Sequence, residues 1–507
     1  MANLVEQYLK NHGPSLSSEI TESLVKYHNL SPVAARQRVS RGSKDIYRLD
    51  LSFPRRAKFL YLKQQSGSEL YWVRLERALL ESHSAYGYAI SALRARGGVV
   101  PKSHFEIVCG SPIRQKKHLS ASVVLNQMIR LKLLYEVHVE DIGTCVYLGL
   151  HINHLDSLIP TMKARLFVEE LTLRGIYSWM RKLGFASYTQ IKARTPEENP
   201  RVSTTAWDLA GPSYLSPLVS FKSGSTNPTP GFVVCDILLT QIVTEKDIDP
   251  FIKKLSSLRS LRNVGKQLSF FVANSYDQKA FKKLKALGVS PATTATIFDN
   301  EIGRGMTLLI ELLTQVVSSS VPMESIDQIF KSVGKIDGAS NRLRGALFEF
   351  VIADAMRLSF GNLVQLNREC KTDKGKKEAD VISITSQKVR FIEGKGYNLN
   401  KRVTLDEVKY WLDKQVPVFR AYALAHPDWQ DAELVFEFWT TSSFEPDALA
   451  RLEKSKEITK KYQIEFKDHQ GVTDHINKTK SKSLISTYKE HFVNAPAAGF
   501  PSESDTF

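Results

Sequence analysis

Three side chains between residues 377 and 396 have the types and spacing that cation-assisted hydrolysis needs: Asp380, Glu393 and Lys395. Val381, Ile382 and Ile384 form one short apolar run. Val389, Phe391 and Ile392 form a second, with the polar pair Ser386-Gln387 between them. β-Branched and aromatic residues on either side of a polar break predict a two-stranded hairpin. Folded about that break, Asp380 falls opposite Glu393 or one place diagonal to it, with Cβ atoms about 5 Å apart. Alternation along a strand points Glu393 and Lys395 to one face. Two carboxylates beside an ammonium can hold a hard divalent cation next to an activated water. The Glu-x-Lys spacing is not distinctive alone, for it recurs at Glu369/Lys371, Glu407/Lys409 and Glu465/Lys467. Glu407 lies in a run of helical spacing and is expected on a solvated helix face. Glu465 is expected on a strand, but its upstream acid, Asp447, falls at a helix start. Only Glu393 combines a strand, an acid across the hairpin and an acid on a preceding helix, Glu349.

Asp380 followed by Glu393-Gly394-Lys395 resembles the PD-(D/E)XK signature of restriction-endonuclease-like nucleases. The segment from Arg344 through Glu349 to Ala353 resembles that superfamily's first core helix, which often carries a further acidic ligand. The resemblance covers roughly residues 340–475, and Ala379 stands where the motif name has proline. It implies that Asp380 and Glu393 hold Mg²⁺, with Mn²⁺ as a substitute, and that the carbonyl of Gly394 adds a third oxygen. Glu349 would contribute directly or through water. Lys395 would orient or help deprotonate the attacking water. The implied reaction is hydrolysis of a phosphodiester bond in DNA.

The rest of the chain must position these groups. Its 507 residues allow several domains, and 42% hydrophobic with 24% charged residues is an ordinary globular balance. A net charge of +16 is not ordinary and calls for a polyanionic partner. No apolar run approaches the length of a membrane span, and the N-terminus lacks a signal-peptide core, so double-stranded DNA is expected rather than a membrane. Cys109, Cys145, Cys235 and Cys370 are scattered without pairing or zinc-ligand spacing, as reduced thiols in a cytoplasm would be.

The expected fold is multidomain: N-terminal all-α and winged-helix (α+β) segments, then two tandem α/β restriction-endonuclease-like domains. Residues 1–66 read as three short helices and a hairpin, the third helix opening at Ser31-Pro32. Arg36, Arg38 and Arg41 lie on that helix, and residues 46–51 with 58–62 would form a wing, which resembles a winged helix-turn-helix contacting DNA. Residues 67–155 repeat the pattern, with a helix capped by Ser120 that is expected to bury Val123, Val124, Met128, Ile129 and Leu131. Residues 156–303 read as a degenerate copy of the α/β domain, with a last strand at 294–298. There Asp208 takes the place of Asp380, but Cys235-Asp236-Ile237-Leu238 stands where Glu-x-Lys belongs, so Asp208 and Asp236 would repel each other without a cation. A helical connector (304–339) leads to the nuclease-like domain (340–493), and a tail rich in Ala, Pro, Gly and Ser (494–507) is expected to be disordered. Within the nuclease-like domain Lys371, Lys374, Lys376 and Lys377 form a basic loop able to clamp phosphate. The function expected is a metal-dependent DNA endonuclease guided by winged helices, in restriction or defence against foreign DNA, working as a homodimer or as a subunit of a larger DNA-processing complex. The alternative is a DNA-binding regulator or complex subunit whose nuclease folds do not cleave.

Overall fold

The structure, a computed structural model, describes residues 3–41, 43–51, 53–116, 118–221, 227–314, 322–336, 338–361 and 363–494. The expected disordered tail lies, beyond Asn494, outside them. The chain is a mixed α/β protein with several sheets, divided into two compact units, one ending at Asp299 and the other starting at Asn300.

The first unit opens with helices Leu4–His12, Ser17–His28 and Pro32–Arg41. Ser31 Oγ accepts the Ala34 N–H at 3.3 Å, and Pro32 brings a φ already suited to a first turn. Val5, Leu9, Ile20, Leu24, Ala35 and Val39 form one buried stripe against Ile46, Leu60 and Leu62. The last three lie on antiparallel strands, Ile46–Arg48 and Phe59–Leu62, which Ser15–Leu16 extends to a three-stranded sheet. Burying the stripe leaves the outer face of the third helix to Arg36, Arg38 and Arg41. All three are exposed, and among the described residues none is ion-paired.

A second block follows, with helices Glu69–Glu81, Ala85–Arg94 and Ala121–Arg130. Its sheet consists of Val99–Pro101, Leu134–Val139 and Gly143–Leu148. Ser120 accepts the Val123 N–H as the expected cap. Val123 itself is exposed rather than buried, because the inward stripe of that helix is Ala121, Val124, Leu125 and Met128, and Val123 falls outside it.

The unit closes with a five-stranded sheet in the order Val289–Thr293, Gln267–Ala273, Gly231–Leu238, Leu209–Ser213, Lys192–Ala193. The first two junctions are parallel and the last two antiparallel. Residues 294–297 are a short helix, not the expected strand: Thr293 caps it, its Oγ1 accepting the Thr296 N–H at 3.1 Å, so local capping overrides β-branched propensity. The strand lies one step earlier.

The second unit begins with helices Asn300–Thr314, Met323–Val333 and Ala339–Phe360. Its sheet runs Leu363–Thr372, Gly375–Ile384, Lys388–Lys395, Glu433–Thr440, Gln463–Lys467, two antiparallel junctions followed by two parallel ones. Read in chain order, the two sheets have the same succession of strand senses. Helices His469–Lys478 and Lys482–Tyr488, unassigned from the sequence, complete this unit.

In the first sheet, Leu209 pairs with Cys235, which brings the preceding Asp208 level with Asp236. The expected repulsion between them is offset because the protein supplies cations. Lys254 is wholly buried on helix Glu245–Arg259 and donates to Asp236 Oδ2 at 2.5 Å and to the carbonyls of Ile107 and Ala206 at 2.8 and 2.9 Å. Arg194 bridges Asp208 to Glu169 of helix Leu155–Lys182, and Arg165 holds the other oxygen of Glu169 at 3.2 Å. Burial pushes the Asp236 carboxyl up to about 6, against the pull of Lys254. Removing one partner of such a pair strands the other charge. Lys254→Met should therefore cost about 3–5 kcal/mol in urea unfolding. Adding Asp236→Leu should restore most of that loss, and a double variant no more stable than the single one would contradict this role.

Candidate active site

The strands Gly375–Ile384 and Lys388–Lys395 pair antiparallel from Ile384 opposite Val389 to Val381 opposite Ile392. Thr385 locks the turn at Ser386-Gln387: its N–H donates to the Lys388 carbonyl and its Oγ1 accepts the Lys388 N–H, both at 2.9 Å. One step past the last rung, Asp380 stands level with Glu393, and its Oδ2 accepts the Gly394 N–H at 2.9 Å. Lys395 Nζ donates to Glu393 Oε1 at 2.8 Å. The structure thus brings Asp380, Glu393 and Lys395 to one end of the hairpin.

Two glycines let the helix Ala339–Phe360 approach them. A Cβ on Gly394 would lie 2.8 Å from Ile352 Cδ1, and one on Gly396 would lie 2.1 Å from the Arg344 carbonyl oxygen. That helix carries Glu349, half-buried, into the field of Asp380, Glu378 and Glu393. Withdrawal from water, reinforced by these neighbouring acids, holds the Glu349 carboxyl well above its usual range, with Lys395 opposing. Asp380 is pushed up to about 8, first by burial and then by Glu393, while Lys395 and the Gly394 N–H pull the other way. Burial also works against the Lys395 ammonium, but Glu393 and Asp380 outweigh it and raise its pKa.

Two residues in this neighbourhood escaped the sequence reading. Gln415 Nε2 donates to Glu393 Oε2 at 3.2 Å, fixing the carboxylate oxygen that Lys395 leaves open. It ends a π-helical turn, Trp411–Gln415, between helices Leu405–Tyr410 and Val416–Ala425, in which the Val416 N–H bonds the Trp411 carbonyl five residues back. Pro417 lacks the N–H that a regular helix would use here, and that proline inside a helical run was the available signal. Glu378, two residues before Asp380, is the other; only its closeness to Asp380 in sequence hinted at it. Glu407 is no simple solvated charge: it closes a capping box with Thr404 and accepts from the Tyr397 hydroxyl.

The basic segment is not a loop. Residues 363–372 and 375–384 are two long strands joined by a two-residue turn at Asp373-Lys374, with Thr372 opposite Gly375 and Gly375 at φ 126°. The glycine permits the tight reversal between the strands. Lys371, Lys374 and Lys376 are exposed at its tip, with Lys376 paired to Glu369 at 2.5 Å. Lys377 turns to the Tyr410 hydroxyl, also at 2.5 Å. Arg36, Arg38 and Arg41 belong to the first unit.

The donor set is hard oxygen throughout: Asp380, Glu393, the Gly394 carbonyl and Glu349. Ionising all three acids would leave more negative charge than Lys395 balances, a form that a divalent cation such as Mg²⁺ would stabilise. The carboxylates of Asp380, Glu393 and Glu349 do not all three lie within 4.8 Å of one another. Among the described residues only Asp327, Glu490 and His491 do, and there His491 and Lys331 each pair with Asp327 at 2.8 Å. Mg²⁺ retains several waters, so it does not need all three acids in direct contact.

No family model matches this chain, and no curated protein matches it. A crystal structure of a protein of unknown function, AF1548, aligns at 14% identity over 26% of this chain and 67% of its own, with a TM-score of 0.20. The restriction endonuclease FokI aligns at 11% identity over 97% of this chain and 91% of its own, also at 0.20. These are distant likenesses, and at that score neither carries an argument about fold or activity.

The raised pKa of Asp380 makes the pH dependence definite. A carboxylate whose folded value lies above its unfolded one makes the cation-free fold less stable as pH rises from about 4 to about 8. A cation bound there must expel the proton. Mg²⁺ affinity should therefore weaken below about pH 8, with proton release near neutrality seen as a binding heat that depends on buffer ionisation enthalpy. Affinity independent of both pH and buffer would contradict the assignment.

Proposed function

We propose that the chain is a divalent-cation-dependent endonuclease acting on double-stranded DNA. The second-unit sheet would be its PD-(D/E)XK catalytic core, the first-unit sheet a non-cleaving copy, and the two N-terminal blocks winged helices that hold the duplex. The observation that carries this reading is the register that sets Asp380 level with Glu393 while Lys395 bonds to that same Glu393.

Asp380, Glu393, the Gly394 carbonyl and Glu349 would hold the Mg²⁺, whose chemistry is to acidify a water and screen charge at phosphorus. Lys395, kept protonated by its two acids, orients the attacking water and offsets charge building on the phosphate oxygens. Gln415 and Lys395 each fix one oxygen of Glu393, so its orientation does not depend on solvent. Lys371, Lys374, Lys376 and Lys377 of the ribbon, with Arg36, Arg38 and Arg41 of the third helix, neutralise backbone phosphates. With one such site among the described residues of each chain, cutting both strands in one encounter would call for a second copy or a larger assembly. Among the described residues no helix is long and apolar enough to cross a membrane.

The test is incubation of the full chain with plasmid and with structured RNA, with Mg²⁺ or with EDTA. Plasmid should be cut only with the cation. Asp380→Ala and Glu393→Ala should abolish cutting. Lys395→Ala should lower it by about 100-fold or more while leaving duplex affinity near wild type. Equal cutting in EDTA would sink the mechanism, and cutting of RNA alone would move the substrate.

A further inference from the structure

The hairpin that carries Asp380 is not a uniform ladder. Its rungs run from Leu363 opposite Ile384 to Leu366 opposite Val381, then resume at Arg368 opposite Ala379. The level between, Asn367 with Asp380, is unpaired, and Asn367 stands at φ 50°, in the left-handed region. That backbone is strained for residues bearing a Cβ, and asparagine tolerates it better than most.

The side chains record the consequence. Ile382 lies in the core built by Trp411, Val416 and Phe419, and plain alternation would send Asp380 and Glu378 to that side as well. Instead Ala379 lies in that core, together with Cys370 of the facing strand, and Arg368 Nε reaches the Tyr422 hydroxyl of helix Val416–Ala425 at 3.3 Å. Both strands therefore change face at the Asn367–Asp380 level. The change leaves Asp380 off the ladder, free to accept the Gly394 N–H. It also places the rung Lys371–Lys376 on the side away from that core. Two basic side chains are thereby aligned with Glu378 rather than with the helix core.

We propose that Asn367 is a positioning residue: its left-handed backbone turns the hairpin so that Asp380 meets Gly394 beside Glu393, and so that Lys371 and Lys376 lie on the face of Glu378. The part that concerns a cation rests on the role proposed above for Asp380; the geometric part does not. Glycine adopts this backbone freely, alanine poorly and valine worst, since its β-branch favours an extended strand.

The test compares Asn367→Gly, Asn367→Ala and Asn367→Val in the full chain. It reads amide exchange of Gly394 without divalent ions, Mn²⁺ affinity, and the melting transition. Asn367→Gly should match wild type in exchange and in Mn²⁺ affinity. Asn367→Ala should speed Gly394 exchange and weaken Mn²⁺ by about tenfold each with little change in melting, and Asn367→Val should do so at least as strongly. If Asn367→Val does not fold, the Gly and Ala pair decides. Equal Gly394 protection in Gly and Ala variants overturns the inference, whatever Mn²⁺ does. The expected exchange pattern in a protein that binds no Mn²⁺ upholds the positioning role and overturns the proposed cation site instead.

Discussion

A carboxylate taken out of water needs a partner, and both five-stranded sheets of this protein place two acids level with each other where water is largely excluded. In the first unit the need is met by the protein itself: Lys254 lies on Asp236, and Arg194 ties Asp208 to Glu169. In the second unit the ammonium of Lys395 bonds Glu393, with Asp380 and Glu349 close by. Burial leaves Asp380 and Glu349 as reluctant anions. The same strand senses and the same juxtaposition of acids thus support two different solutions, a closed network of ion pairs and an acid-rich site whose full ionisation would outnumber Lys395. The second is where the proposed cation would bind, and on that difference the functional reading depends.

The difference comes from side chains that are small or remote in sequence. Gly394 and Gly396 let the Glu349 helix close onto the strand end, where any Cβ would collide. The π turn before Pro417 delivers Gln415 to Glu393 where a first-unit helix delivers Lys254 to Asp236. An amide can orient a carboxylate but cannot neutralise it, so Gln415 does not supply the positive charge that Lys254 supplies in the first unit. Lys254, by contrast, also satisfies two carbonyls, which makes it a fixed structural cation rather than one that could give way to a metal ion.

Much of this was legible in the residues. The apolar runs around Ser386-Gln387 placed the hairpin and set Asp380 beside Glu393, because period-2 alternation and a polar break are local signals. Ser31-Pro32 and Ser120 marked helix starts for the same reason. What failed was what depends on partners distant in sequence or on backbone exceptions. Nothing local told that Lys254 or Arg194 would reach Asp236 and Asp208. The left-handed Asn367, which breaks the alternation, was invisible to a rule that assumes alternation. Residues 371–377 resembled a loop because a charged, glycine-containing stretch has the same composition whether or not its strands pair. The β-branched Thr294, Thr296 and Ile297 pointed to a strand at 294–298, and the cap from Thr293 made 294–297 a helix.

The most direct measurement is the number of divalent cations bound per chain, taken by equilibrium dialysis with Mn²⁺ on three proteins of equal melting temperature. These are the wild type, a first-unit variant with Asp236→Leu and Lys254→Met, and a second-unit variant with Asp380→Asn and Glu393→Gln. The tight-binding stoichiometry should be the same in the wild type and the first-unit variant and should vanish in the second-unit variant. Cation binding that survives loss of Asp380 and Glu393, or that disappears with Asp236 and Lys254, would contradict the assignment of the cation to the second unit.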